Sequence, residues 1–236
     1  QWNMAKARKV FTNKLGLPIG FPLHNWRSAL LPPRTPMVGT WCRVEPIDCK
    51  KHADTLFRAF LDDVEGRSWS YLSYGPFETV ADFITWVKKT CLGDDPLFHL
   101  ITDKTNNRAL GLASYLRITP AEGVIEIGHI NYAPQLQRSI AGTEAMYLMM
   151  KNVFDELGYR RYEWKCDNLN SKSKKAALRL GFKYEGLFRQ ATIYKKRNRD
   201  TAWYSIIDKE WTKIRLSYKK YLKNENFNHN FRENHK

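Results

Sequence analysis

Three groups of polar residues in the second half of this sequence could carry chemistry. The first is Glu126, a carboxylate between Ile125 and Ile127 in the β-branched stretch from Val124 to Tyr132. A carboxylate held among apolar neighbours becomes a stronger proton acceptor, so Glu126 is a candidate general base. The alternative is a buried structural glutamate that is bonded to a neighbouring amide or arginine.

The second group is the turn after this strand, together with the helix that it starts. Pro134 breaks the extended run, and apolar residues then recur at helical spacing up to Gly158, the predicted end of the helix. A small-residue turn at a helix N-terminus presents free N–H groups and a positive dipole end, which can hold a phosphate. Read alone, the turn could equally be an ordinary helix start. The candidate phosphate-binding residues are Gln137, Arg138, Ser139, Ile140, Ala141, Gly142 and Thr143.

The third group, Asn170 and Ser173, opens a second late helix that ends at Gly181. Asn170 is first of all a helix cap. His129 also lies in this half of the chain. A regular strand places it on the opposite side from Glu126, so we expect a structural role for it.

The rest of the chain predicts the elements that position these groups. Asp48 and Thr79 are expected to cap two helices, and the predicted order is one strand, two helices, a β-meander and then β-α-β-α-β. The segment 161–166 alternates charged and apolar residues, as expected of a strand with one solvated face. The predicted strands are Trp41–Pro46, Leu97–Thr102, Ala109–Ile118, Val124–Tyr132, Arg161–Cys166, Phe182–Gly186 and Ala202–Ile207.

Composition indicates one sizeable globular domain with extensions, since 43% of the 236 residues are hydrophobic and 14% are aromatic. Residues 1–37 are rich in Pro, Gly and basic residues, and we expect an extended arm that lies on the domain through Trp26 and Phe21. Residues 38–211 form the predicted domain. Residues 212–236 are predicted to form a basic helix and then a mobile, Asn-rich tail (Asn224, Asn226, Asn228, Asn230).

The formal charge of +15 is concentrated at the two ends. Residues 1–35 contain six basic and no acidic side chains, and residues 209–236 contain eight basic and three acidic ones. The middle is only modestly basic, which suits an anionic cofactor better than a nucleic acid.

The location predicted from these residues is the cytoplasm. We find no apolar run of membrane-spanning length, no signal-peptide core and no N-glycosylation sequon. The four cysteines lack metal-like spacing, so we expect reduced thiols and no metal site.

These motifs, in this order, resemble the GNAT acetyltransferase superfamily, and within it the ribosomal-protein N-terminal acetyltransferase-like (RimJ/RimL-type) branch. The resemblance covers roughly Met37 to Trp211. It implies an α/β (α+β) fold with a mixed, mostly antiparallel central sheet, a parallel pair around the cofactor cleft, and helices on both faces. Its carriers are Glu126-Ile127-Gly128, Gln137 to Ala145, Asn170-x-x-Ser173, Leu180-Gly181-Phe182 and Asp200-Thr201-Ala202-Trp203.

The resemblance also implies a cofactor and roles for the candidate residues. The family's phosphate turn, Gln/Arg-x-x-Gly-x-Gly/Ala, binds acetyl-CoA, the acyl donor; here Ile140 replaces the first glycine, which backbone binding tolerates if its φ stays negative. Asn170 would contact the pantetheine arm. Many relatives carry a Tyr as acid where this chain has Ala177. The RimJ/RimL-type branch uses a serine at the position of Ser173, which can donate a hydrogen bond to the developing thiolate. Tyr184 is a weaker candidate, for which we expect core packing.

The implied function is transfer of an acetyl group from acetyl-CoA to a primary amine by direct attack, with Glu126 as base, often through water. The acceptor is a protein N-terminus or a small-molecule amine, and a homodimer is left open. The aromatic residues Trp69, Tyr71 and Tyr74 could border the acceptor site or pack under a loop. Two alternatives stand beside this function. One is a family member that binds CoA without turnover, and the other is a ribosome- or RNA-associated protein that uses its basic ends, although no known RNA-binding motif supports it.

Overall fold

Polar caps set the starts of the helices in the computed structural model, which describes residues 10–223. Asp48 Oδ1 accepts a hydrogen bond from the N–H of Lys51 (3.1 Å), and Thr79 Oγ1 accepts one from the N–H of Asp82 (3.1 Å). Both caps were predicted. The predicted Asn-rich tail lies outside the described residues. The α-helices are α1 (Cys49–Phe60), α2 (Val80–Thr90), α3 (Ile140–Lys151), α4 (Ser171–Arg179) and α5 (Asp208–Tyr221).

Within residues 10–223, ten strands form two sheets. A two-stranded sheet pairs β1 with β2, and an eight-stranded sheet has the order β3-β4-β5-β6-β7-β8-β10-β9. Every neighbouring pair is antiparallel except β7 and β8, so the predicted mixed sheet with one parallel pair is confirmed. The strands are β1 (Phe11–Thr12), β2 (Pro18–Ile19), β3 (Met37–Val38), β4 (Cys42–Pro46), β5 (Leu97–Asp103), β6 (Arg108–Thr119), β7 (Val124–Tyr132), β8 (Arg161–Asp167), β9 (Lys183–Tyr194) and β10 (Arg197–Ile207).

The main differences from the prediction lie at the end of the chain. The strand predicted over 182–186 continues to Tyr194, and a tight turn at Lys195 and Lys196, both with positive φ, joins it to β10. The helical stretch before Gly158 is α3 followed by a π-helical turn at Asn152–Glu156. Helix α5 begins at Asp208, before the predicted boundary at residue 211. None of the helices within residues 10–223 is long and apolar enough to cross a membrane.

Helices cover both faces of the large sheet. Phe98 on β5 contacts Trp86 of α2 edge-to-face at 5.8 Å between ring centroids. The next residue, His99, contacts Tyr115 of β6, whose hydroxyl donates to the carbonyl oxygen of Met149 in α3 (2.7 Å). Because successive side chains of a strand point to opposite faces, α2 and α3 lie on opposite sides of the sheet.

In the described part of the predicted N-terminal arm, Trp26 contacts the rest of the chain. The indole Nε1 of Trp26 donates to the carbonyl oxygen of Ala121 (2.8 Å), and the guanidinium of Arg160 lies 5.9 Å from the centre of the indole ring. Phe21 contributes less, because it is 54% exposed and faces Lys209. Trp26 therefore covers the end of the sheet where β6 turns into β7.

One buried carboxylate ties the start of α3 to the turn between β3 and β4. Glu144 is 4% exposed, and its two oxygens accept hydrogen bonds from the N–H groups of Thr40 (3.0 Å), Trp41 (2.7 Å) and Cys42 (2.9 Å). Residue 39 is glycine because a Cβ there would collide with this carboxylate. Glu144 thus sets where α3, and the turn that precedes it, sit against the sheet.

Glu144→Gln is expected to destabilise the fold by about 1–3 kcal/mol, because an amide group replaces one accepting oxygen with a donor that faces at least one of the three N–H groups and cannot accept from it. Urea unfolding of both proteins measures the difference. Glu122→Gln, at an exposed loop position, is the matched control and should change stability by less than about 0.5 kcal/mol. Equal unfolding midpoints for the wild type and Glu144→Gln would contradict this account.

Candidate active site

The candidate site is a cleft that opens where the two parallel strands separate. Strands β7 and β8 pair only from Val124 to Ile127 and from Arg161 to Trp164, although both strands run further. Beyond this point, residues 128–130 of β7 and 165–167 of β8 line a cleft of about 590 Å³. Its other walls come from the segment 68–73 after α1, from the start of α4 and from the β9–β10 hairpin.

A bulge in β7 shapes the wall of this cleft. The pairing of β7 with β6 shifts so that His129 and Ile130 both lie opposite Ala113, and His129 has a φ of +49°. A bulge of this kind breaks the regular alternation of side chains. His129 and Glu126 therefore both line the cleft, and the predicted placement of His129 on the opposite side is wrong.

His129 is held by aromatic neighbours. Its Nδ1 lies 2.9 Å from the hydroxyl of Tyr74, and its ring stacks on Tyr74 and packs against Phe98. Burial, and then the positive charges of Arg117 and Arg199, lower the pKa of His129 to about 4. His129 is therefore neutral near pH 7 and poorly suited to act as the base.

Glu126 is 3% exposed and lies between two cations. Its Oε2 is 2.7 Å from Arg117 Nη1 and 2.9 Å from Lys165 Nζ. Its Oε1 faces the backbone of Gly128, 3.7 Å from the position that a Cβ would take there. The alternative of a buried glutamate bonded to an arginine is thus present in the structure. Because both cations bind the same oxygen, Oε1 remains available to face the cleft.

Asn170 and Ser173 lie at the other wall of the cleft. Asn170 Oδ1 accepts the N–H of Ser173 (3.1 Å), so the predicted cap is confirmed. Ser173 Oγ accepts a hydrogen bond from the indole Nε1 of Trp164 (3.0 Å). The hydroxyl keeps its own proton for donation, and the Cys166 thiol, which also lines the cleft, lies within hydrogen-bond reach of it.

The phosphate turn is a well-formed helix start. Ser139 Oγ accepts the N–H of Gly142 (3.0 Å), and the carbonyl oxygen of Ser139 accepts the N–H of Thr143 (3.2 Å). The N–H groups of Ile140 and Ala141, the first two helical residues, have no intrahelical acceptor. They are available to an anion.

The replacement of the family's first glycine by Ile140 causes no backbone strain. Ile140 begins α3 with helical backbone, and the positive φ of the turn (+55°) falls on Arg138 instead. Gly142 is required, because a Cβ there would lie 2.6 Å from the carbonyl oxygen of Leu136. Gln137 has a structural contact, since its Nε2 donates to the carbonyl oxygen of Tyr132 (2.9 Å).

The structure brings Glu126, Asn170 and Ser173 together in the cleft and leaves the phosphate turn outside its lining, beyond the end of β7. Among the aromatic candidates, Tyr71 lines the cleft, whereas Trp69 is buried beneath the loop. The prediction of core packing for Tyr184 is wrong. Its side chain is on β9, is 53% exposed and contacts the ring of Tyr204 edge-to-face.

The cations of the site were missed from the sequence. The charged face of β8 was predicted to be solvated, but Glu163 is 6% exposed and the Lys165 side chain is 9% exposed. Lys165 Nζ also lies 3.8 Å from the centre of the Trp203 ring. The spacing of Glu163 and Lys165, two residues apart on a strand, does place them on one face. What that face contacts depends on the neighbouring strands.

Comparison with known proteins identifies the family. Residues 43–183 match the model of the acetyltransferase (GNAT) domain. The chain is 44% identical to a GCN5-related N-acetyltransferase from Brucella melitensis, over 86% of this chain and 92% of that chain, with a TM-score of 0.85. It is 41% identical to a probable GNAT-family acetyltransferase from Chromobacterium violaceum, over 83% of this chain and 98% of that chain, with a TM-score of 0.77.

Another solved structure shares only the fold. The microcin C7 self-immunity acetyltransferase MccE, in complex with acetyl-CoA and AMP, is 21% identical over 75% of this chain and 98% of that chain, with a TM-score of 0.64. A search of curated proteins found no match. The chain belongs to the GNAT acetyltransferase family. It is an acetyltransferase, and its acyl donor is acetyl-CoA.

The lowered pKa of His129 predicts a pH-dependent stability. Between pH 6.5, the ordinary histidine value, and about 4, the unfolded chain binds a proton that the folded chain excludes. The free energy of unfolding therefore falls as the pH falls through this window. In His129→Gln the fall should be less steep, by up to about 1.4 kcal/mol per pH unit.

Urea titrations at pH 4.5, 5.5, 6.5 and 7.5 measure this slope. His24→Gln, at an exposed position in the arm, is the matched control and should keep the wild-type slope. An unchanged slope in His129→Gln would show that folding does not lower the pKa of His129.

Proposed function

We propose that the protein transfers the acetyl group of acetyl-CoA to a primary amine by direct attack, and that Glu126 and Ser173 assist. The observation that carries this proposal is that both side chains line the cleft formed by the separation of β7 and β8. A new bond forms between the amine nitrogen and the acetyl carbon, and the bond from that carbon to sulfur breaks. The nitrogen loses a proton, and the sulfur leaves as a thiolate that takes one up.

The residues present suit acetyl-CoA. The free N–H groups of Ile140 and Ala141, at the positive end of α3, suit a diphosphate, with Arg138 beside them on an exposed turn. Among the described residues, no strand pairs with the backbone of β7 beyond Ile127 on its β8 side, and this backbone can bind an extended chain with Asn170 opposite. Acetyl-CoA supplies the acetyl group as an activated thioester.

Glu126 is proposed as the base. Arg117 and Lys165 hold Oε2, which fixes the orientation of the carboxylate and leaves Oε1 as the oxygen that accepts the amine proton, directly or through one water. These two contacts hold the carboxylate in one place beside the cleft. We therefore assign most of the rate enhancement to positioning of the two substrates.

Ser173 is proposed as the hydrogen-bond donor to the developing thiolate. Trp164 fixes its oxygen, and the N-terminus of α4 adds a positive potential at the same place. Many relatives carry a tyrosine as acid at the position of Ala177, which is a fully buried alanine here. The side chain at this position therefore cannot act as the acid. This combination supports placing the chain in the RimJ/RimL-type branch, whose acceptors include protein N-termini.

Two substitutions test the assigned roles. Glu126→Gln is expected to lower kcat about 100-fold, within the usual range for general-base catalysis, and Ser173→Ala about 10-fold, the value of one hydrogen bond. Both should leave the Kd of acetyl-CoA nearly unchanged. The assay is product mass spectrometry with acetyl-CoA and a mixture of peptides and small amines.

Glu122→Gln and Ser171→Ala, at exposed positions, are the matched controls and should keep the wild-type rate. Wild-type kcat in both site variants would remove these roles. Acetyl-CoA binding without turnover on any amine would instead favour a non-catalytic protein.

Replacing Ile140 with proline tests whether the N–H group of this one residue binds acetyl-CoA. Ile140 is the first residue of α3, where proline is well tolerated, and Ser139 before it is already extended (φ −102°, ψ 160°). Ile140→Pro removes one N–H donor and should raise the Kd of acetyl-CoA by about 10- to 100-fold, since a hydrogen bond to a charged group is lost.

Ile140→Ala keeps the N–H and removes the side chain, so it should bind acetyl-CoA as the wild type does. Calorimetric titration measures both variants, and thermal unfolding checks that the fold is intact. Equal affinity of Ile140→Pro and Ile140→Ala would show that this N–H does not bind the cofactor.

A further inference from the structure

The cleft contains one cation that no acid within residues 10–223 neutralises. Its charged lining residues are Arg117, Glu126, Lys165, Asp167 and Arg199. Glu126 pairs with Arg117 and Lys165. Asp167 accepts hydrogen bonds from the hydroxyl of Tyr194 (2.7 Å) and from the N–H of Leu169 (2.9 Å). The two acids are therefore satisfied by other groups.

Arg199 is half-buried on β10, and it uses only one of its donors. Its Nε donates to the hydroxyl of Thr201 (3.1 Å), and within residues 10–223 no carboxylate forms an ion pair with its guanidinium. Neither terminal amino group of the guanidinium has a hydrogen-bond partner among the described residues. They form the planar fork that binds carboxylate or phosphate in a bidentate manner.

The positive charge of Arg199 acts on the same part of the cleft that contains the candidate catalytic groups. Arg199 and Arg117 both depress the pKa of His129, whose ring lies beside the β7 bulge. The nearby wall is aromatic, because the ring of Phe188 stacks on that of Trp203 at 4.3 Å between centroids, and Tyr71 lines the opposite side. An apolar wall with one free cation fits an organic molecule with a single anionic group.

The cofactor does not account for this cation. The anionic part of acetyl-CoA is assigned to the N-terminus of α3, and the residues of that turn do not line the cleft. The thioester end is assigned to Ser173, so neither part of the cofactor is assigned to Arg199.

We propose that the acceptor is a primary amine that also carries a carboxylate or phosphate group, and that Arg199 binds this anion and so determines specificity. This inference rests on the proposed amine acetylation and names its substrate class. The anion could belong to a small amino acid or phosphoamine, or to an acidic side chain next to a peptide N-terminus. In each case the anionic group would form the same ion pair with the guanidinium of Arg199.

The test compares amines that differ only in the anion. The small-molecule pairs are β-alanine with β-alaninamide, and phosphoethanolamine with ethanolamine. The peptide pair has Asp or Asn as its second residue. The wild type should show a kcat/KM about 10- to 100-fold higher for the anionic member of at least one pair, and the pair that responds identifies the source of the anion.

Arg199→Gln should abolish this preference by raising KM for anionic amines, while the rates on neutral amines stay unchanged. Arg199→Lys should recover part of it, because it restores the charge without the planar fork. Arg189→Gln is the matched control, since it removes the same charge from an exposed position on β9 outside the cleft, and it should keep the wild-type preference.

Three results would overturn the inference in distinguishable ways. Acetylation of anionic and neutral amines at equal rates would remove the substrate class but keep the proposed function. A raised Kd for acetyl-CoA in Arg199→Gln, with no change in acceptor preference, would make Arg199 a cofactor contact. Acetylation of no amine at all by the wild type would remove the proposed function together with the inference.

Discussion

The structure depends on the neutralisation of two glutamates that face each other across its one parallel strand pair. Glu126 and Glu163 occupy the same register position on β7 and β8, and both are buried. Like charges directly opposite each other destabilise a sheet, and a buried charge is tolerated only when it is paired. Lys165 lies between them, while Arg117 binds Glu126 and Arg161 binds Glu163 (2.9 Å). The cations make this strand pair compatible with burial.

This arrangement also explains how the cleft combines rigidity with a localised positive charge. Beyond the ion-paired segment the two strands separate, and the bulge at His129 turns further backbone and side chains toward the opening. The pairing is nearly balanced between acids and bases, so the cleft as a whole carries little net charge. Arg199 is the exception. A single uncompensated guanidinium in an otherwise balanced cleft gives directional recognition of an anion.

Much of the fold could be predicted because its signals are local. The caps at Asp48, Thr79 and Asn170 depend on a side chain and a backbone N–H three residues apart, and β7 was predicted with its observed bounds. The order of the motifs also led to the family and its fold. The wrong predictions arose where one local sequence pattern is compatible with two different placements of its side chains in the folded protein. The alternating charges of β8 and the spacing of Glu126 and His129 are both compatible with more than one set of neighbours.

The sequence alone determined the elements, their order, the helix starts that could bind an anion and the identity of the candidate catalytic residues. These features follow from backbone geometry within a few residues. The tertiary structure alone decided that the charged face of β8 is buried, that Glu126 is held through one oxygen by Lys165 and Arg117, and that Arg199 has no acidic partner in the described part of the chain. The energy of a buried charge depends on its partners across strands. Those partners are far away in the chain and are chosen only when the sheet assembles.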